Sequence, residues 1–426
     1  MTYVPPERNG GGDDEPRDQT QQFATVPRPL RPEAQPASTF AADYAEPEAT
    51  GADARPRRDR IVFQLIWETI LLLLALNALF MVYRRREAIF GDEFGTALDA
   101  ADAHLLSMSP LLLGVLALGL SLRLGAVNLA APAAVFVAAF APPLSANPWI
   151  NLAWIAAGAA VAALLFSLLV LALRVPPWFA GLASAWLIWA GSPLLDRFSA
   201  DLEQVRTLQS PGGLWIFLGV AALAVGGGLV GLLPSVRDGF SGVKAMADGT
   251  TGRGASPALL LVGGTFLSML LAGGAGFMMS VFDLRSPDTE SSLYFGVYSF
   301  DGQTAIGFEV FMFIAVLAAG TSLWGRRGGV LGSVLTTVLL WSGLLLWGEL
   351  RAPTNDESLY TDWSQILFVG LLLVALFVSF GLDRLGRPRE DGEAGDAEDS
   401  AEESSPFTPN PPRLFDPNAE PSTTPR

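Results

Sequence analysis

Enzymatic chemistry needs nucleophiles, acid–base pairs or metal ligands, and this chain of 426 residues carries few of them. It has no cysteine, which excludes disulfides, thiol nucleophiles and thiolate metal sites. Its one histidine, His104, cannot build a multi-histidine metal site. Its one lysine, Lys244, stands between Val243 and Ala245, so the Gly-Lys-Ser/Thr turn that holds phosphates is missing. No Gly-x-Ser-x-Gly elbow is present, and no histidine is placed to activate a serine. The carboxylate pairs Asp92-Glu93 and Asp356-Glu357 fall between apolar runs, where solvated acids keep ordinary behaviour. Two acids are different: Glu68 and Glu309 fall inside apolar runs, where an unpaired charge is costly. Each admits two readings, a carboxylate that holds helices together or a place on a solute path, which Asn128 would share. Neither a catalytic residue nor a metal or cofactor site is expected.

The elements that must position these residues are set by hydropathy. Half of the residues are apolar and the mean hydropathy is positive despite two long polar ends. Soluble domains do not combine those properties. Apolar runs near 61–83, 105–122, 128–141, 149–173, 176–195, 213–233, 256–282, 303–321, 328–350 and 364–382 predict about ten transmembrane helices, an all-α polytopic membrane protein. The third run is short and Pro132 and Pro142 lie in or beside it, which predicts a broken or re-entrant helix. Residues 1–58 and 388–426 are rich in Pro, Gly and acidic residues and are expected to be disordered tails around a membrane domain at 59–387. About half of the acids lie in those tails, so the net charge of −15 describes solvated chain, and nothing points to nucleic acid. Arginines near alternate span ends, among them Arg57, Arg58, Arg60, Arg123, Arg174, Arg237, Arg326, Arg327, Arg384 and Arg387, place both termini in the cytoplasm, against a local exception at Arg84-Arg85-Arg86.

The stretch Gly307-Phe-Glu-Val-Phe-Met-Phe-Ile-Ala-Val-Leu-Ala-Ala-Gly-Thr-Ser-Leu-Trp-Gly-Arg-Arg-Gly-Gly-Val-Leu-Gly332 is the most specific feature of the sequence. It resembles the C-terminal signature of ribose-type ABC transporter permeases, a group that includes the branched-chain amino acid permeases. Upstream, Leu267-Ser-Met-Leu-Leu-Ala-Gly-Gly-Ala-Gly276 is similar to the family's small-residue helix, and Leu124-Gly-Ala-Val-Asn-Leu-Ala130 is similar to its Gly-Gly-Ile-Asp-Leu-Ser motif, with Asn128 at the polar position. The resemblance covers roughly residues 60 to 387. It implies two pseudo-repeated halves in a bacterial plasma-membrane permease subunit, working with a second permease subunit as a homo- or heterodimer. An ABC ATPase subunit would bind below and an extracytoplasmic solute-binding protein above, with membrane lipid around the helices. The implied cargo is a small solute, a sugar or nucleoside.

The resemblance also implies a cytoplasmic ATPase-coupling loop that carries a short helix, at Pro234 to Ser256, with Arg237, Asp238, Phe240, Lys244 and Asp248 as its contact residues. That loop departs from the family's Gly-Asn-x-x-Ala-Ala pattern, and Phe311 stands where the family has an acid. A second expectation therefore stands beside transport: a non-transporting membrane scaffold or regulator on a degenerate permease fold. A membrane-embedded transferase would need clustered acids or histidines on one face, and the sequence has none.

Overall fold

With no water in a bilayer core to satisfy backbone groups, apolar segments of this length must close their hydrogen bonds internally, and every element described here is a helix. The computed structural model describes residues 60–90, 97–141, 143–195, 211–247, 254–282, 284, 305–323, 328–351 and 357–385. The two expected tails, Asp248 and the arginines Arg326 and Arg327 lie outside the described residues. The chain divides after Arg57 into two units, and everything described belongs to the second.

The helices are α1 (Arg60–Arg84), α2 (Arg86–Phe90), α3 (Ala97–Arg123), α4 (Ala130–Phe140), α5 (Pro148–Leu171), α6 (Pro177–Leu195), α7 (Gly213–Val230), α8 (Pro234–Ala247), α9 (Ala255–Val281), α10 (Ala305–Ala318), α11 (Gly332–Arg351) and α12 (Glu357–Leu385). Eight of them (α1, α3, α5, α6, α7, α9, α11 and α12) are long and apolar enough to cross a membrane, so the protein is a polytopic helical membrane protein. The ten expected runs thus divide into eight of crossing length and two short helices. At 1.5 Å per residue α4 and α10 span about 17 and 21 Å, less than the ~30 Å hydrocarbon core.

The shortness of α4 has local causes. Gly125 adopts a left-handed φ of 69°, which ends α3 and turns the chain. Pro132 falls in the first turn of α4, where its missing N–H has no helical partner to lose. Past Phe140 the Pro142-Pro143 pair stops the helix. The chain then re-enters α5 under an Asn147 cap, whose side-chain oxygen accepts from the Trp149 amide at 3.0 Å, with Pro148 at the first helical position.

Helix α3 is the axis of the bundle. Its spanning window is 72% buried against 11% for that of α12, which separates a central helix from a peripheral one. Leu111, Leu112, Val115 and Leu118 of α3 meet Val135 of α4, Met279 of α9, and Phe311, Met312 and Val316 of α10 in the main core cluster. Asp102 of α3 crosses to α7 and accepts from the Gly213 and Leu214 amides at 2.8 and 2.9 Å, capping a helix from outside its own chain segment. Helix α9 packs closely on α4 because Gly276 has no side chain: a Cβ there would overlap the Val135 carbonyl oxygen and lie 2.7 Å from the Ala138 Cβ.

Candidate functional site

The first polar cluster forms where α1, α3 and the segment between α10 and α11 meet. Gln64, Trp67 and Glu68 share one face of α1 by their spacing of three and four residues. Glu68 is 6% exposed, and one of its oxygens accepts from the amides of Val330, Leu331 and Gly332 at 2.7, 3.2 and 3.4 Å. These amides open α11, so Glu68 is a carboxylate cap for a helix more than 260 residues away in sequence. Unpaired amides at a helix start and the positive end of the helix dipole both favour a carboxylate there. The Trp67 indole N–H donates to the Ala318 carbonyl at 2.8 Å, and the Gln64 amide donates to the Ala319 carbonyl and to Glu68, both at 3.4 Å. The Arg123 guanidinium at the end of α3 donates to the Gly329 carbonyl and balances Glu68 through space. Ser322 donates to Asp383 at 2.7 Å, and Ser379 of α12 donates to the Thr321 carbonyl at 3.0 Å. The described residues on either side of 324–327 in the long signature are therefore held by α1, α3 and α12.

The second feature is the turn after α3. Asn128 is fully buried, its side-chain oxygen accepts from the Ala130 amide at 3.1 Å, and its amide donates to the Met269 sulfur at 3.1 Å. It serves the backbone that the break leaves open. Replacing Asn128 with alanine would leave the Ala130 amide without an acceptor in a dry environment, at a cost of about 1–3 kcal/mol. We expect that loss as a lowered midpoint in thermal unfolding of the detergent-solubilised chain, with Asn128→Ser losing less.

Met269 is also the foot of a cavity of about 230 Å³ bounded by α4, α5, α6 and α9. Its walls include Ala138, Ile155, Ala159, Ile188 and Phe277; the polar side chains among the lining residues are Asn151 and Ser280. No lining residue is charged. The Asn151 side chain is already engaged, accepting from the Ser145 amide at 2.9 Å and donating to the Ser145 carbonyl at 2.8 Å.

The third feature is α8. The expected loop from Pro234 to Ser256 holds a 14-residue helix, Pro234–Ala247, before α9 begins at Ala255. Its apolar face is seated: Phe240, Val243 and Met246 pack with Leu124, Ala126, Ala180 and Leu261, around the turn after α3. Its other face carries exposed Arg237, Asp238 and Ser241. Lys244 belongs to neither surface in the expected way, because its aliphatic stem lies over Gly125, where a Cβ would clash with it. Of the five expected coupling residues, Arg237 and Asp238 are exposed, Phe240 is partly buried, Lys244 packs on the turn, and Asp248 lies outside the described residues.

The three expected path residues do not converge. Glu68 caps α11, Asn128 holds the break, and Glu309 is half-buried near the start of α10, with no hydrogen bond among the described residues. Neither Gln64 and Arg123 beside Glu68 nor the Trp67 bond to the Ala318 carbonyl was anticipated. The i, i+3, i+4 spacing of Gln64, Trp67 and Glu68 is the one sequence signal for them, whereas Arg123 reads only as a positive span end. His104 is buried and accepts from the Trp341 indole N–H at 3.3 Å, beside the Phe90 ring at 5.1 Å, an internal packing position. Among the described residues no group of three His, Cys, Asp or Glu side chains could hold a metal ion. Set against protein-family models, curated proteins and solved structures, the chain matches none.

Proposed function

We propose that this protein is the membrane-spanning permease subunit of an ATP-driven importer for a small solute, with the motor on a separate ATPase subunit. The observation that carries the reading is the seating of α8. A rigid amphipathic helix lies at the arginine-rich end of the bundle, its polar face free and its apolar face packed on the turn that joins α3 to the half-length α4. A push on Arg237 and Asp238 would pass through Phe240 and Val243 to Leu124 and Ala126, and so to the break. Interiors transmit such displacements because they are close-packed. Half-length helices are also where transporters place their moving parts and binding sites. Counting α4 and α10 as partial crossings gives ten membrane segments with both termini in the cytoplasm of a bacterial cell, and two halves of five with the short helix third in each. The partners of this reading are an ATPase subunit, a second permease subunit and an extracytoplasmic solute-binding protein. Its solute is a sugar or nucleoside by resemblance alone.

A specific observation favours a second reading, a membrane scaffold without transport. The buried acid Glu68 is occupied in capping α11, and the cavity beside the break has no charged lining residue. The two readings differ in one experiment. If α8 engages an ATPase, the ATPase co-purifies with the wild-type chain, and the double charge reversal Arg237→Glu/Asp238→Lys reduces recovery at least tenfold without changing thermal stability. Both side chains are exposed, so the substitution leaves packing intact. Equal recovery of the ATPase with both chains would remove α8 as the docking element.

A further inference from the structure

We propose that the cavity between α4, α5, α6 and α9 holds one acyl chain of a membrane glycerolipid, with the ester end of that lipid at Asn151 and Ser280. The first argument is chemical. A buried water needs two to four polar partners, and the cavity offers few, since Asn151 is already bonded to Ser145. Cavities of about 150 Å³ lined by aliphatic side chains stay dry and accept apolar guests, and this one is larger, at about 230 Å³.

The second argument is shape. On α9 the lining runs Met269, Gly273, Phe277, Ser280 and Val281, a stripe on one helix face. At 1.5 Å per residue that stripe extends about 18 Å along the helix, the form of a chain rather than a ring. Its polar residue Ser280 lies beside the end of α9, and Asn151 lies in the first turn of α5. Both therefore sit where a helix end meets the interface, and Met269 lies at the deep end, held by Asn128.

The third argument is access. Trp154 and Gly158 of α5 line the cavity and are exposed, and a Cβ on Gly158 would meet nothing within 4 Å. Val161 and Leu164 continue the same exposed apolar surface. The mouth opens toward the medium that bathes the outer helix faces, which in a membrane is lipid. The proposal stands independently of the transport reading, because a scaffold with this cavity would hold the same chain.

The test uses the full chain in nanodiscs containing phosphatidylcholine with a diazirine on one acyl chain, followed by peptide mapping after illumination. A diazirine at the chain terminus is expected to label Met269, which is 2% exposed and out of reach of bulk lipid. A diazirine next to the ester is expected to label Ser280 or Val281 instead. Gly158→Trp, at the mouth, should reduce Met269 labelling at least fivefold while labelling of exposed Val374 and Phe377 on α12 is unchanged. Gly219→Trp, also at a glycine with open space but away from the cavity, should leave all labelling as in wild type. Labelling confined to α12 and other outer faces would overturn the proposal. So would labelling of Met269 by a free diazirine-bearing arene but not by the lipid. Ester-proximal and terminal probes marking the same residues would overturn the assigned orientation and with it the proposal.

Discussion

Replacing Glu68 with alanine is expected to be the most destabilising single change in the described part of the protein. Three amides at the start of α11 lose their acceptor, and the Arg123 guanidinium loses the opposite charge that balances it. Leaving a buried donor without its acceptor costs about 1–3 kcal/mol, and here three amides share one carboxylate oxygen. Glu68→Gln separates the two effects. Its amide oxygen still accepts from the Val330 amide, so the helix start is served, while the charge facing Arg123 is gone. We therefore expect Glu68→Gln to fall between wild type and Glu68→Ala in thermal or denaturant unfolding in detergent. Limited proteolysis should report the same order, fastest in Glu68→Ala. Unfolding of Glu68→Ala at the wild-type midpoint would show that the cap contributes nothing.

Gly276→Leu is expected to have the second largest effect, by a different mechanism. The Cβ alone would overlap the Val135 carbonyl oxygen and crowd Ala138, and the remaining side chain has no space between α9 and α4. Overpacking of a close helix contact costs about 1–3 kcal/mol, more where backbone must move, and here the opposed atoms include backbone. The α9–α4 contact also forms one wall of the cavity, so the variant should lose the lipid labelling of Met269 along with stability. Gly274→Leu, two residues away and with nothing within 4 Å of its Cβ position, is the matched control and should unfold near the wild-type midpoint.

These two cases also mark how far the sequence could be read. Helices α1 and α5 were legible almost to the residue, because a long apolar run has one physical solution in a bilayer. The shortness of α4 was legible too, since Pro132 and Pro142 stand in and beside its apolar run. Helix α3 starts eight residues earlier than its apolar run, because Asp102 in its first two turns is matched by the amides of α7 and His104 beside it is buried. Hydropathy counts that acid as a boundary, whereas the fold uses it as a cap. The same blindness affected Glu68. Composition shows that a buried carboxylate needs compensation, but its partners were backbone amides, which every residue carries and which no motif marks. Glycines of the signature belong to this class: a Cβ at Gly329 would displace the tips of Glu68 and Gln64, the atoms that make the cap. The cavity was not legible at all, since alanines and glycines on four helices read the same whether they touch one another or leave a gap between them.

On the proposed reading α8 passes work from an ATPase to the break between α3 and α4, and ATP hydrolysis in liposomes reports it. The chain is reconstituted in liposomes with the ATPase and solute-binding protein that the proposed function calls for, and ATP hydrolysis is followed as sugars, nucleosides and amino acids are added. The account predicts stimulation by one solute class, abolished by Arg237→Glu/Asp238→Lys while the variant chain keeps its wild-type unfolding midpoint. An intact complex whose ATP hydrolysis responds to none of these solutes would contradict it, and would leave the bundle as a scaffold built on the same helices.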